Sequence, residues 1–484
     1  MYTWIPINSA ADLDALLTEI SAEYDPQGVI KKLNTGLSGA VKAILVEHNY
    51  IDKDYRSTYY NFYAKKGQYY RADCVRLHFF DETVTFDASA LKLGGHREEN
   101  LRFHYFGYII LRPTGIATIG RSVVSPDVRT GASGYIISAS HKVHLLGYKL
   151  TVQGFPSMDQ HIDIAVCAHA ACWSILRHYS ECYSIYREFL THDITLMAQQ
   201  FDPGGLVPSK GLEVSHAERV FQEAGTFPVH VVRADEDDVA FYRQLHAYVE
   251  SGFPLFAAMH ERRHAIAVVG YEWRTPTPAV TEMRYAWDEV KSLVVVDDNQ
   301  LPYLSIPMQG GPLYSAEDID AFIVALPEKI FYPADAVDRL SPTLFRLGAL
   351  LGGLPPKDET IIRYFITTGS ALRRFIRNRE SEFDPKLVEL IMTLPFAQFV
   401  WIVEIATADD WANGGISARA VLDATASLRE VMPFWLFHNR KQALVFDRST
   451  VGAGAAGIRR LDLAGMDQTA LTRWDQNLRP TQRK

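Results

Sequence analysis

Cysteine is scarce: Cys74, Cys167, Cys172 and Cys182 are the only four in 484 residues. That is too few for a disulfide scaffold, and three of them crowd into one segment, so reduced thiols are expected. A basic excess is also missing. A formal charge of −8 and a pI near 6.1 argue against a general nucleic-acid binder and favour proteins or small molecules as partners. No apolar run approaches the roughly 20 residues that a membrane span requires. The opening "MYTWIPINSAADLDALL" has no cationic start ahead of an apolar core. The expectation is a cytoplasmic protein with no membrane partner. Repeats, heptad arrays and low-complexity tracts are absent as well.

What is present can build a large interior, since 48% of residues are hydrophobic and 12% aromatic. The length predicts two or three packed units. Residues 1–152 read as a mixed, β-rich region. Leu13, Leu16, Leu17 and Ile20 have helical spacing, with Asn8 or Ser9 as the cap. A second helical stretch is expected over Val41 to Val46, and mostly strands from Tyr55 to Val152, including "YFGYIILRP" and "SGYIISAS". Residues 153–330 form a second unit. It has helices from Ala168 to Phe189, after Ser209 and from Asp237 to Glu250, followed by the strands "PLFAAMH", "HAIAVVGYEW" and "SLVVVDD". Residues 331–484 form a third α+β region, with a helix expected over Thr360 to Arg379 and strands at "FVWIVEIA" and "ARAVLDAT".

The second unit carries the chemistry. A cysteine nucleophile gains from a helix N-terminus, whose dipole favours the thiolate, and from a histidine that takes its proton. Cys167 stands at such a position. The histidine needs an acceptor on its other ring nitrogen to fix its orientation. His264 opens a strand, and Asp297 or Asp298 closes the next one. Gln160, just upstream of Cys167, is the candidate donor to the oxyanion that forms when a thiolate attacks a carbonyl.

In this order of Gln160, Cys167, His264 and Asp297, residues 153 to 310 resemble the papain-like cysteine peptidases, in particular the branch that includes bacteriocin-leader peptidases of bacteria. In that branch the nucleophile is followed by Gly-Pro, a small pair, and an apolar helix ending in Arg and an aromatic pair. "CAHAACWSILRHY" keeps Cys167, the pair Ala170-Ala171, Ile175-Leu176, and Arg177 with Tyr179. The family histidine heads a strand that ends in Gly and an aromatic, as His264 to Gly270-Tyr271 does, and its aspartate follows a Val-rich run, as Asp297 follows "VVV". The chain departs from the pattern at Ala168-His169, at Asp298, and at Gln160, which stands seven residues before Cys167 instead of six.

The resemblance implies an α+β fold: a papain-like core flanked by the β-rich N-terminal region and the α/β-mixed C-terminal region. It implies a thiol hydrolase acting on peptide or isopeptide bonds through an acyl-enzyme, without cofactor or metal. Transglutaminases and deamidases use the same triad, and an inactivated core serving as a binding or regulatory protein is the competing class. The "ACWS" motif makes Cys172 a rival nucleophile. A metal site among Cys167, His169, Cys172, His178 and Cys182 meets a geometric objection. On a helix, His178 lies about 16 Å beyond Cys167 along the axis, so only His178 and Cys182, at i and i+4, can chelate together. Arg373, Arg374, Arg377 and Arg379 read as a solvated helical face, Arg112 and Arg121 as exposed or ion-paired, and "QFDPGGLVPSKG" as a loop.

Overall fold

The computed structural model describes residues 1–160, 167–199, 212–235, 237–274, 282–352, 354–448, 457–464, 470–474, 477 and 479–480. The segments 161–166 and 200–211, the latter being the "QFDPGGLVPSKG" loop, lie outside the described residues.

Helices and antiparallel sheets alternate in an α+β arrangement with three large sheets. The first runs Tyr2–Pro6, Ala43–Tyr50, Cys74–Phe80, Tyr105–Leu111, Ser122–Val124, Tyr148–Ser157 and Ala139–Leu145 in spatial order. Its last two strands form a hairpin across Leu145 and Tyr148. Tyr148–Ser157 carries this sheet five residues past position 152, so the N-terminal region and the middle unit share a strand.

The second sheet holds Phe227–Val232, Ala321–Leu326, Leu255–Met259, His264–Trp273, Val290–Val296 and Leu304–Pro307. The short strand Tyr135–Ile136 pairs with its His264–Trp273 strand and also with Arg479–Pro480 near the C-terminus. The third sheet runs Arg284–Tyr285, Thr360–Thr368, Phe399–Thr407, Ala418–Asp423, Phe434–His438, Gln442–Phe446 and Ile458–Asp462, and only its first pair is parallel.

Two helical expectations fail for one reason. "AILVEHNY", which takes in the last four residues of the Val41–Val46 stretch, is the strand Ala43–Tyr50, whose first four residues are buried. "TIIRYFITT" is the strand Thr360–Thr368, and the helix begins only at Gly369 and ends at Arg377. Both runs are dense in β-branched and aromatic side chains, which suit a central strand covered on both faces and lose rotamer freedom in a helix. The N-terminal helix is broken into 3-10 turns and a short α segment, Ala10–Ala15, Leu16–Glu19 and Ala22–Tyr24. Ser9 caps its start, with Asp12 Oδ2 accepting from the Ser9 backbone N–H at 2.7 Å.

The helix Cys167–Cys182 packs on the strands His264–Trp273 and Tyr148–Ser157 and on the helices Thr191–Gln199 and Val214–Glu223. Cys172, Trp173, Ile175, Leu176 and Tyr179 are buried in that contact. One continuous apolar core reaches from Ile5 through this helix to Phe446, so the three regions pack together. A buried ionic chain ties the helix Asp238–Glu250 to the third sheet. Arg363 donates to Glu250 Oε1 at 2.7 Å and to Glu404 Oε2 at 2.8 Å, and Arg419 donates to Glu404 Oε1 at 2.7 Å.

Candidate active site

Strand register brings the candidate residues together. Met259 pairs with His264 across a tight hairpin, and Ala267 pairs with Val296 on the other side. The chain leaving Val296 therefore emerges beside the start of the His264 strand, which puts Asp297 and Asp298 next to His264. The hairpin turn contains Arg263 at φ +50° and is tied down by Arg262, which donates to Asp318 at 2.9 Å. The helix Cys167–Cys182 packs on the His264–Trp273 strand.

His264 is the hub. Its Nε2 lies 3.1 Å from Asp297 Oδ1 and 3.8 Å from Asp298 Oδ1. The same imidazole interacts with the Cys167 thiol, which helps to raise it. With Nε2 committed to Asp297, Nδ1 is the nitrogen left for sulfur. Burial alone would depress this imidazole. The hydrogen bond to Asp297, the interaction with the Cys167 thiol and the charges of Asp297 and Asp298 outweigh burial and raise it to about 10.

Asp297 is held by more than His264. Tyr314 donates to its Oδ2 at 2.6 Å, and the Asn299 backbone N–H donates to its Oδ1 at 2.9 Å. Burial would raise this carboxyl, but the hydrogen bonds from His264, Tyr314 and Asn299 and the His264 charge hold it well below the usual carboxylate range. The neighbouring Asp298 behaves oppositely: burial and the Asp297 charge push it up to about 7. Of the two aspartates left open by the sequence, Asp297 is the one hydrogen-bonded to the imidazole.

Gln160 follows the strand Tyr148–Ser157 and is partly buried. Its backbone carbonyl accepts from Arg112 at 3.3 Å, and the same guanidinium donates to the carbonyls of Asp159 at 3.2 Å and Ala117 at 2.7 Å. Arg112 is thus neither exposed nor paired to a carboxylate; it is a buried clamp on the segment leading to Cys167. Lys32 adds a second clamp, donating to Asp159 Oδ1 at 2.7 Å and to the backbone carbonyl of Asp298 at 3.1 Å. The segment upstream of the thiol and the turn after Val296 are fixed by one ammonium.

The remaining cysteines lie elsewhere. Cys172 is fully buried, and burial pushes its thiol up, as it does for Cys74. The Cys182 sulfur sits 3.4 Å from His178 Nε2, as their i, i+4 spacing requires, and burial raises this thiol to about 11. Among the described residues, His264, Asp297 and Asp298 bring one ligand atom each to within 4.8 Å of one another, a donor set that a divalent cation could use.

Arg121 is ion-paired, 2.8 Å from Asp52. In the arginine-rich helix Gly369–Arg377, Arg373 donates to the Leu394 carbonyl at 2.6 Å, and the guanidinium of Arg379, just beyond that helix, lies over the Phe375 ring, while Arg374 and Arg377 are exposed.

Sequence reasoning missed Tyr314, Lys32, Asp159 and Arg112. Each acts through a contact more than 15 positions away along the chain, and no local pattern signals it. Among the described residues, no helix is long and apolar enough to cross a membrane. Comparison with protein-family models, with curated proteins and with solved structures finds no match to this chain.

Proposed function

We propose that the chain is a papain-like thiol hydrolase that cleaves an amide bond, with Cys167 as nucleophile, His264 as proton carrier and Asp297 as the group that orients His264. One observation carries the reading: a single imidazole is hydrogen-bonded to Asp297 through Nε2 at 3.1 Å and is also raised by its interaction with the thiol of Cys167, in the helix Cys167–Cys182. That is the nucleophile–base–orienter relationship covalent catalysis requires.

The steps follow from the chemistry of the groups. The Cys167 proton passes to His264, and the thiolate attacks the amide carbonyl to form a C–S bond. The oxyanion takes hydrogen bonds from the Gln160 side chain and from backbone N–H groups of the helix start, which have no acceptor within the helix. His264 returns the proton to the leaving nitrogen as the C–N bond breaks. Water, deprotonated by His264, then hydrolyses the thioester, and the thiol is regenerated. Arg112 and Lys32 hold the segment ending at Gln160, and Lys32 ties it to the turn after Val296. A polypeptide is the proposed acyl donor. Transfer to an amine or deamidation of a glutamine would share the acyl-enzyme and differ only in donor and acceptor.

The test is to incubate the full-length protein and its Cys167→Ala variant with a peptide library and read products by mass spectrometry. Cleavage that depends on Cys167 supports the reading. A mass gain of one unit at glutamine, or an isopeptide product, would identify the acyl-transfer variants of it. No Cys167-dependent product together with ordinary thiol behaviour would favour a binding protein built on an inactive core.

A further inference from the structure

The turn that carries Asp297 is held from outside the middle unit. Lys32 donates to the Asp298 carbonyl at 3.1 Å, and Arg129 donates to the carbonyl of Leu301. Further along, the Tyr303 hydroxyl accepts from the Phe155 backbone N–H and donates to the Val124 carbonyl, both at 2.7 Å. Lys32, Val124 and Arg129 belong to the N-terminal region, and Phe155 to the strand that this region shares with the middle unit. The arm that carries Gln160 is held from the same side. Arg112 donates to the Asp159 carbonyl, and the Asp159 backbone N–H donates to the Ile119 carbonyl at 2.9 Å.

Of these anchors, Lys32 is the one that touches both the arm and the turn. It stands on the helix Pro26–Gly36, on the face that buries Val29, Leu33 and Gly36, whereas its neighbour Lys31 is exposed. The helix start is capped by Asp25, which accepts from the Gly28 N–H at 3.0 Å, with Pro26 in the first turn. The helix end lies against the turn: a Cβ on Gly36 would come to 3.0 Å from Leu301 Cδ1. Fixed at both ends, the helix gives the ammonium between them a set place. The Asp159 side chain that meets it is 6% exposed. A carboxylate so buried requires a cation. A cation that also grips a carbonyl of the opposite segment fixes a distance as well as a charge.

Resting on the Cys167–His264 reading above, we propose that Lys32 is a positioning residue for oxyanion stabilisation, setting the Gln160 arm against the turn that carries Asp297. The N-terminal region thereby completes an active site whose nucleophile, base and orienter all lie in the middle unit. Two demands must be met at once in the tetrahedral intermediate. The oxyanion must lie within reach of Gln160, and His264, oriented by Asp297, must reach the leaving nitrogen. The arm serves the first and the turn the second, so a slip of about 1 Å between them misplaces one from the other.

Two reagents that meet the same sulfur separate this role from thiolate formation. The thiolate displaces iodide from iodoacetamide at a saturated carbon, with no oxyanion. It attacks p-nitrophenyl acetate at a carbonyl, through an oxyanion. Both rates at Cys167, with the modified residue mapped by mass spectrometry, are compared in the wild type, Lys31→Met, Lys32→Met, and the double variant Lys32→Met with Asp159→Asn. The double variant breaks the bridge without leaving a buried charge unpaired, and so serves should the single one not fold. Acetylation is expected to fall at least about tenfold when Lys32 is replaced, with alkylation unchanged. The unchanged alkylation also shows that the site is folded. Lys31→Met is expected to keep both rates. Acetylation that stays at the wild-type rate without Lys32, or that falls only in step with alkylation, overturns the positioning role and leaves the Cys167–His264 pair standing. A wild type whose Cys167 is not alkylated in acid overturns the underlying reading and this proposal with it.

Discussion

Tyr314 donates a 2.6 Å hydrogen bond to Asp297 Oδ2, opposite the oxygen that faces His264. The pair sets the plane of the carboxylate and hence of the imidazole. The Tyr314 ring also stands edge-on to His264, with centroids 6.2 Å apart. Tyr314→Phe keeps the ring and removes the donor. A hydrogen bond to a charged group contributes about 1.5–3 kcal/mol, so kcat/KM for amide cleavage should fall at least about tenfold. Steady-state kinetics on the variant check this, and an unchanged kcat/KM would show that Asp297 needs no help in holding its plane.

Acid should destabilise the protein well above the carboxylate range. His78, His141, His169, His178, His246 and His438 are all buried, and burial is the largest cause of the depression of each imidazole, to between about 3 and 4. The unfolded chain protonates these groups near pH 6.5, before the folded one does. Their contribution is therefore complete above about pH 6.5 and is lost as pH falls toward their folded values. At about pH 5 each costs roughly 1–2 kcal/mol. Tm measured by calorimetry should drop steeply between about pH 6 and pH 5, and a flat Tm across that window would contradict the burial of these rings in neutral form.

The Glu250–Arg363–Glu404–Arg419 chain ties the helix Asp238–Glu250 to the third sheet inside the core. Removing one charge from a buried pair leaves its partner uncompensated, at a cost of about 3–5 kcal/mol. Glu404→Gln, isosteric with the native side chain, should lower stability by that order in urea denaturation. Arg339, exposed and paired with Asp335 one helical turn away, should tolerate alanine with no change in Tm. Equal effects at the two positions would remove the buried chain as the link between that helix and the third sheet.

Cys172 lies on the buried face of the Cys167–Cys182 helix and Cys182 at its far end. Cys172→Ala should cost stability and leave the reactive thiol in place, and Cys182→Ala should leave both unchanged. Loss of acid-side alkylation in Cys172→Ala, with folding intact, would move the nucleophile by five residues.

The parts of the site that were legible in the sequence are those that begin or end an element. Cys167 is the first described residue of a helix, His264 opens a strand where polar residues give way to apolar ones, and Asp297 follows a strand where apolar residues give way to polar ones. The strands around them read correctly because apolar runs of five to ten residues bounded by turns leave few alternatives. Val41–Val46 and the first half of Thr360–Arg379 misled because short buried runs lack a period, and their β-branched content carried the decisive signal. The support of the site was not legible. Lys32 meets Asp159 across 127 positions and Arg112 meets Asp159 across 47, contacts that exist only once the sheets are assembled. The choice between Asp297 and Asp298 likewise depended on which carboxylate the turn directs at Nε2.

The central claim is that His264 and Cys167 form a working acid–base pair, and the most direct measurement is the rate of iodoacetamide alkylation at Cys167 across pH in the wild type and in His264→Ala. The account predicts a wild-type thiol that reacts well below about pH 8, where ordinary thiols are protonated, and that loses this acid-side reactivity in His264→Ala while retaining its reactivity in alkali. A Cys167 that titrates as an ordinary thiol in both proteins would contradict it.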